Sequence, residues 1–408
     1  MSDLRAFRAV RPPAERAALT SAVPYDVVNT AEARELAAGN PLSFLHVSRP
    51  EIDLPDGTDP YSAAVYAKAS ENYERLKIEC PLVVEETPSL YVYRLRMGDH
   101  QQTGIAGCCS VAEYDSDVIR KHERTRKDKE DDRTRHIVTL RAQTGPVFIV
   151  YRGRDAIDHI TSEIGAGAPL YDFTAVDGVQ HTVWRATDQL TQQLEREVDK
   201  VPLLYIADGH HRAASASRAA AELRDSPSLE NEHQYFLCVL FPDDQVQILP
   251  YNRVVKDLNG MSPASFLGAL SSAFEIAHSA PSAPEKRGDI SMYLDGRWYG
   301  LKARSSASGT DADPISSLDV SILQDRVLDP LLGIKDVRTD KRIDFAGGIR
   351  GAKELERLVD SGKAAVAFSM YPVTVDELIA IADAGKIMPP KSTWFEPKLR
   401  DGLLIHSI

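Results

Sequence analysis

Three things are scarce in this 408-residue chain: cysteine, net positive charge and long apolar runs. Only four cysteines occur, Cys80, Cys108, Cys109 and Cys238, and none stands in a C-x-x-C pair. That argues against a structural zinc site or a disulfide framework. The adjacent Cys108 and Cys109 read as small buried hydrophobes in a strand. A formal net charge of −12 and a pI near 5.5 argue against a general nucleic-acid coat, so any anion site must be local. No apolar run reaches the ~18 residues of a membrane span. The opening MSDLRAFRAVRPP has no apolar signal core. The expectation is a soluble cytoplasmic protein, neither secreted nor membrane-bound. Several catalytic signatures are missing too. There is no G-x-S-x-G and no H-E-x-x-H, and DFAGG (Asp344 to Gly348) is not a G-x-G-x-x-G.

What is present is enough for a real core: 43% of residues are hydrophobic. Thr30 to Ala38 reads as a helix capped by Thr30 and closed by Gly39. Ser43 to Val47 reads as a strand, and Tyr61 to Glu79 as a helix. Strands are expected at Leu90 to Arg96, Thr103 to Val111, Pro146 to Tyr151, Pro202 to Ala207 and Tyr235 to Phe241. Helices are expected at Asp188 to Val198, Ala213 to Leu223, Ser262 to Phe274, Asp319 to Val327, Ala352 to Val359 and Val375 to Ala384. Ser291 to Ala303 reads as a hairpin turning at Asp295-Gly296. Strands and helices alternate without a steady βαβ rhythm, so the expected class is α+β, or mixed α/β.

One stretch concentrates chemistry. ADGHHRAASA (Ala207 to Ala216) puts an acid, a glycine, two histidines and an arginine between a short apolar strand and an alanine-rich helix. Gly209 tolerates positive φ and close backbone approach. The first N–H groups of the helix and its dipole favour an anion. Arg212 adds a forked donor that matches phosphate. The alanines let the helix lie close on the sheet. His210 and His211 can donate to phosphate, ligate a metal or move a proton. Asp208 can hold Mg²⁺, orient a histidine or act as a base. The plain alternative is a helix cap beside a core histidine.

The turn resembles the nucleotide-phosphate site of the ParB/sulfiredoxin-like superfamily, whose free-serine kinases carry Asp-Gly-His-His-Arg, as do Asp208 to Arg212. More of the chain resembles the family called domain of unknown function 1015. The motifs VPYDV, GNPLSFLHVSRPE, KHERT, TGPVF, ADGHHRAASA, ILPYNRVVKDLNG, TDKRIDFAGG and MPPKSTWFEPKL occur in order, and the resemblance runs from Phe7 to His406. The resemblance implies a ParB/sulfiredoxin-like core over 81–260, with a charged insertion. An N-terminal α/β segment, 1–80, precedes the core, and a C-terminal α+β segment, 261–408, follows it. It also implies phosphoryl transfer that involves serine.

The segment Arg120 to His136 holds eight Lys/Arg, five Asp/Glu and two His. Most of it reads as a solvated helix. Its start lies at a strand exit, so Lys121, His122 and Glu123 are candidates. By resemblance, Glu123 matches the kinases' catalytic glutamate as base on a substrate hydroxyl. However, 84 residues separate it from Asp208 (positions 124 to 207), more than in the compact kinases. Arg124, Arg126 and Arg133 are candidate phosphate contacts, whereas His136 can be structural. Tyr25, Asp26, His46 and Arg49 are candidates for a substrate pocket, against a turn for the first two and a core histidine for His46. Lys391, Ser392 and Thr393 can close over phosphates from a proline-rich loop, although the P-loop glycines are missing.

The expected function is phosphoryl transfer from a nucleotide (ATP or ADP) or another phosphoanhydride, with Mg²⁺, to a small hydroxylated acceptor such as free serine. The alternatives are phosphoserine hydrolysis and a nucleotide-binding regulator that does not cleave.

Overall fold

The computed structural model describes residues 2–224, 229–304 and 313–408. The fold is mixed α/β and divides into two compact units: Met1–Val246 with Pro397–Ile408, and Gln247–Glu396. The N-terminal 80 residues therefore share a unit with the 81–246 stretch, and the chain returns to that unit for its last twelve residues.

The first unit is built on a nine-stranded sheet. Its strands in chain order are β1 (Leu4–Arg5), β2 (Tyr91–Met97), β3 (His100–Ser110), β4 (Ile119–Arg120), β5 (Val147–Tyr151), β6 (Tyr171–Thr174), β7 (Gln180–Arg185), β8 (Leu204–Asp208) and β9 (Tyr235–Pro242). Across the sheet they run β4-β8-β5-β9-β3-β2-β7-β6, and β1 pairs with the end of β3. Most pairs are antiparallel, but β4 with β8 and β5 with β9 are parallel. Cys108 and Cys109 lie buried in β3, as read from the sequence.

Six longer helices belong to this unit: α1 (Thr30–Ala37), α2 (Ala63–Glu79), α3 (Lys127–Leu140), α4 (Asp155–Gly165), α5 (Asp188–Val198) and α6 (His210–Glu222). One core joins the sheet to α4, α5 and α6: Ile149, Ile206, Phe236 and Leu240 meet Ile157, Leu194, Ala213, Ala216 and Ala220. Alanine on the buried face of α6 is what permits that close approach. The charged segment is only partly solvated. It becomes α3, whose Asp132, Thr134, His136 and Ile137 are buried. Ser215 Oγ donates to the Glu130 carbonyl at 3.1 Å, and Arg218 pairs with Asp131 at 2.6 Å, which lays α3 along α6.

Two sequence expectations change here. Helix α1 is capped by Asn29, not Thr30: Asn29 Oδ1 accepts from the Glu32 amide, and Glu32 accepts in return from the Asn29 amide. The segment expected as a strand at Ser43 to Val47 contains a helical turn, Leu45–Ser48. Asn40 Oδ1 accepts from the Leu42 amide at 3.2 Å, and Ser43 Oγ from the Leu45 amide at 3.3 Å. These local bonds turn the chain where its apolar pattern suggested extension.

The second unit carries a six-stranded sheet that contains Tyr251–Val255, Phe274–Ala277, Asp289–Leu294, Arg297–Ala303, Ile343–Gly347 and Val366–Ser369. The hairpin turns at Asp295 (φ 49°) and Gly296 (φ 74°), as expected. The helix read as Ser262 to Phe274 spans only Pro263–Leu270, and Phe274 begins a strand.

Candidate active site

Strand β8 delivers the turn. Its ladder with β5 slips between Ile206 and Asp208, a bulge that re-aims the last residue. Gly209 follows at φ 91° and ψ 30°, left-handed, and α6 begins at His210 with no side-chain cap. The first-turn N–H groups of a thirteen-residue helix thus carry its positive end at this turn. A Cβ on Gly209 would lie 3.1 Å from Arg212 Cζ and Nε, so the guanidinium is packed on the glycine itself.

Parallel pairing of β4 with β8, Ile119 opposite Leu204 and Arg120 opposite Tyr205, carries the next residues of the β4 strand to the same end of the sheet. The separation in sequence disappears there. The His122 amide donates to His210 Nε2 at 3.5 Å, and the two imidazoles pack edge to face with centroids 4.5 Å apart. Accepting at Nε2 puts the His210 proton on Nδ1, which lies 4.0 Å from Glu123 Oε2. Glu123 keeps 40% of its side chain exposed. The Arg126 amide donates to His211 Nε2 at 3.0 Å.

The acid of the turn is bound by two cations. Asp208 Oδ2 accepts from Arg212 Nη2 at 3.0 Å, and Oδ1 lies 3.5 Å from Lys398 Nζ. Arg212 also donates through Nη1 to the Pro146 carbonyl and lies 3.8 Å from Asp26. Burial pushes the Asp208 carboxyl up, but Lys398 and Arg212 outweigh it and hold it down to about 2. Burial likewise opposes the Arg212 charge, while Asp26, Asp208 and Asp401 hold it more firmly protonated than usual.

The histidines behave oppositely. Burial lowers His122 to about 4, and burial next to His122 takes His210 well below its ordinary value. His211 is lowered by burial as well. Burial disfavours the charged form of all three, so the positive charge here comes from Arg212, Lys398 and the helix end. Asp208 held near 2 is too weak a base to take a proton from an alcohol; it orients the two cations instead.

Both Asp208 oxygens face cations, so a Mg²⁺ ion held directly by Asp208 does not fit this arrangement. Among the described residues no group of three or more His, Cys, Asp or Glu is placed to hold a metal ion.

The remaining candidates make the following contacts. Tyr25 is buried under the Arg133 guanidinium, 4.2 Å from its ring centroid, and its carbonyl accepts from Arg49 Nη1 at 3.2 Å. Arg49 also pairs with Glu51 at 3.0 Å. His46 belongs to the helical turn rather than to an apolar strand; its Nδ1 pairs with Asp53 at 2.9 Å. His136 is structural: it bonds the Val47 carbonyl at 2.9 Å. Lys121 pairs with Asp117 at 2.7 Å and covers the Tyr114 ring. Arg124 is exposed. Lys391, Ser392 and Thr393 belong to the second unit, Gln247–Glu396. There the Lys391 carbonyl accepts from Arg253 at 3.0 Å, and Ser392 Oγ donates to the Pro389 carbonyl at 2.7 Å.

Residues 4–321 match the model of the family described as a protein of unknown function, DUF1015. The chain belongs to that family. A search among curated proteins finds no match. Among solved structures, a free serine kinase in complex with AMP is similar at 12% identity and TM-score 0.36, covering 72% of this chain and 86% of that one. A conserved hypothetical protein from Pyrococcus furiosus gives 12% and 0.35, over 74% and 94% of the two chains. SbnI with a C-terminal truncation, from Staphylococcus aureus, gives 10% and 0.38, over 72% and 84%. Likenesses of that degree carry no argument about chemistry. No described helix of this DUF1015 chain is long and apolar enough to cross a membrane.

Two residues at the turn escaped the sequence reading. Lys398 and Asp401 come from the last twelve residues; the motif MPPKSTWFEPKL includes Lys398, whereas Asp401 lies two residues beyond it. The glycine carries a direct test. Gly209→Ala forces an L side chain to φ 91° and puts its methyl 3.1 Å from the guanidinium. A loss of about 1–3 kcal/mol is expected in denaturant melts. Full stability would mean that the turn tolerates another conformation.

Proposed function

We propose that this chain transfers a phosphoryl group from a nucleotide or another phosphoanhydride to the hydroxyl of a small acceptor, free serine being the first to test. The single observation that carries this reading is the meeting, at one strand end, of a carboxylate–imidazole pair with a helix N-terminus, the buried Arg212 and the partly buried Lys398. The helix amides and Lys398 suit a phosphate, and Arg212 adds its charge from behind Asp208. Glu123 takes the acceptor's hydroxyl proton. The acceptor oxygen then forms its bond to phosphorus, and the bond to the leaving phosphate breaks, releasing the shortened donor. His210 turns its Nδ1–H toward Glu123 and orients the base. The Asp-Gly-His-His-Arg motif, shared with free-serine kinases, supports the same reading.

Phosphorus NMR of the purified protein with Mg²⁺, a panel of ATP, ADP and pyrophosphate, and L-serine tests it. A new phosphomonoester resonance and a matching loss of donor are expected. No ester with any donor defeats the proposal. Release of phosphate from phosphoserine without a donor would mark a hydrolase, and binding without turnover a regulator.

A further inference from the structure

Behind Arg212 lies a cavity of about 40 Å³, room for roughly three waters. Tyr25, Arg133, Thr144, Gly145, Arg212 and Asp401 contribute its polar lining, with Val147 and Phe236 among the apolar residues. Two residues of this lining carry buried polar atoms of opposite character. Arg212 Nε, a cationic donor, and Asp401 Oδ1, an acceptor, have no hydrogen-bond partner among the described residues. Arg212 is 8% exposed and Asp401 2%. Gly145 lets the carboxylate lie against the backbone: a Cβ there would be 2.4 Å from Asp401 Oδ1.

Unpaired buried groups of this kind are costly, and one ligand with both charges relieves both. We infer that the cavity binds the zwitterionic head of a small α-amino acid, its ammonium on Asp401 and its carboxylate on Arg212 with Arg133. This rests on the phosphoryl-transfer reading, which needs an acceptor beside the Asp208–Arg212 turn, and it names that acceptor's class. Burial and the nearby Asp26 lift the Asp401 carboxyl to about 7 against the pull of Arg212, Arg133 and Arg400. A bound ammonium stabilises its charged form.

Calorimetry without a phosphoryl donor decides the matter. The probes are L-serine, glycolate (which lacks the ammonium) and ethanolamine (which lacks the carboxylate). L-serine is expected to bind at least about ten-fold more tightly than either analogue, since each drops one charge-assisted contact. Asp401→Asn should weaken L-serine and ethanolamine about ten-fold and leave glycolate unchanged. If Asp401→Asn does not fold, Gly145→Ala takes its place: its methyl intrudes beside Oδ1, and L-serine binding should fall by a similar factor. Equal affinity for the three probes, absence of L-serine binding, or unaltered binding in the folded variants means that the cavity holds only water. The two proposals fail separately. Phosphorylation of ethanolamine as fast as serine keeps the transfer and sinks the cavity, whereas selective L-serine binding without any turnover does the reverse.

Discussion

Arg212→Ala is expected to abolish turnover and to cause the largest loss of stability of any single change at the turn. The guanidinium is 8% exposed and serves four groups: the Pro146 carbonyl, Asp208, Asp26 and the packing surface of Gly209. Removing one member of a buried ion pair typically costs about 3–5 kcal/mol, because the other charge is left uncompensated. Because the guanidinium is buried, its loss reaches the fold as well as the chemistry. Arg212→Lys keeps the charge but cannot span Pro146 and Asp208 together, so it should recover part of the stability and little of the activity. The pH response gives an independent readout. The carboxyl of Asp208 is depressed in the folded state, so its contribution is present above its ordinary value of 3.8 and is lost as pH falls through about 2. Without Arg212 only Lys398 of that pair of cations remains, and acid unfolding should begin at higher pH. Asp401 works in the other direction. Its raised carboxyl gives a contribution that is full below 3.8 and lost as pH rises through about 7. Arg212 pulls that value down, so the variant should be weakest relative to the parent near neutrality. Melting curves from about pH 1.5 to 8 check both limbs; a parent-like profile would mean that Arg212 is not the hub of this cluster.

The turn was legible because its chemistry is local. An apolar strand, a glycine, a polar crowd and a run of alanines name a strand–turn–helix by composition alone, and φ 91° at Gly209 is what that composition needed. What surrounds the turn was less legible, since long-range pairing assembles it. Glu123 reaches His210 through the parallel ladder of β4 with β8, and nothing in the intervening stretch announces that pairing. Lys398 and Asp401 are harder still. The chain leaves the first unit at Val246, builds a second unit of its own, and returns at Pro397. A reading in consecutive segments, with boundaries at 80 and 260, has no means to anticipate such a return. The hairpin of β6 and β7 was missed for another reason. Its Asp177-Gly178 turn is a recognisable signal, with Gly178 at φ 80°, but the short strands beside it carry polar residues. Asp177 then serves the core by pairing with the buried Arg400.

Glu123→Gln separates chemistry from architecture. The side chain is 40% exposed at the strand exit, so the substitution should leave stability within about 0.5 kcal/mol of the parent. Glutamine keeps the shape and accepts from His210 but cannot take a proton. Turnover should therefore fall by about 10²–10⁴, the contribution of a positioned base, while the KM for the donor stays near the parental value. Glu123→Asp draws the carboxylate back by one methylene and should lie between the two. Loss of donor binding in step with turnover would assign Glu123 to the phosphate cradle rather than to the acceptor. His210→Phe offers the complementary comparison. It keeps an aromatic ring against His122 but removes both the Nε2 acceptor and the Nδ1 proton. If His210 acts only by orienting Glu123, adding His210→Phe to the Glu123→Gln background should cost little more, since residues that work as a unit are not additive. Losses that multiply instead would give His210 its own contact with the phosphate. The neutral Nδ1–H suffices for that contact, since burial opposes the charged imidazole.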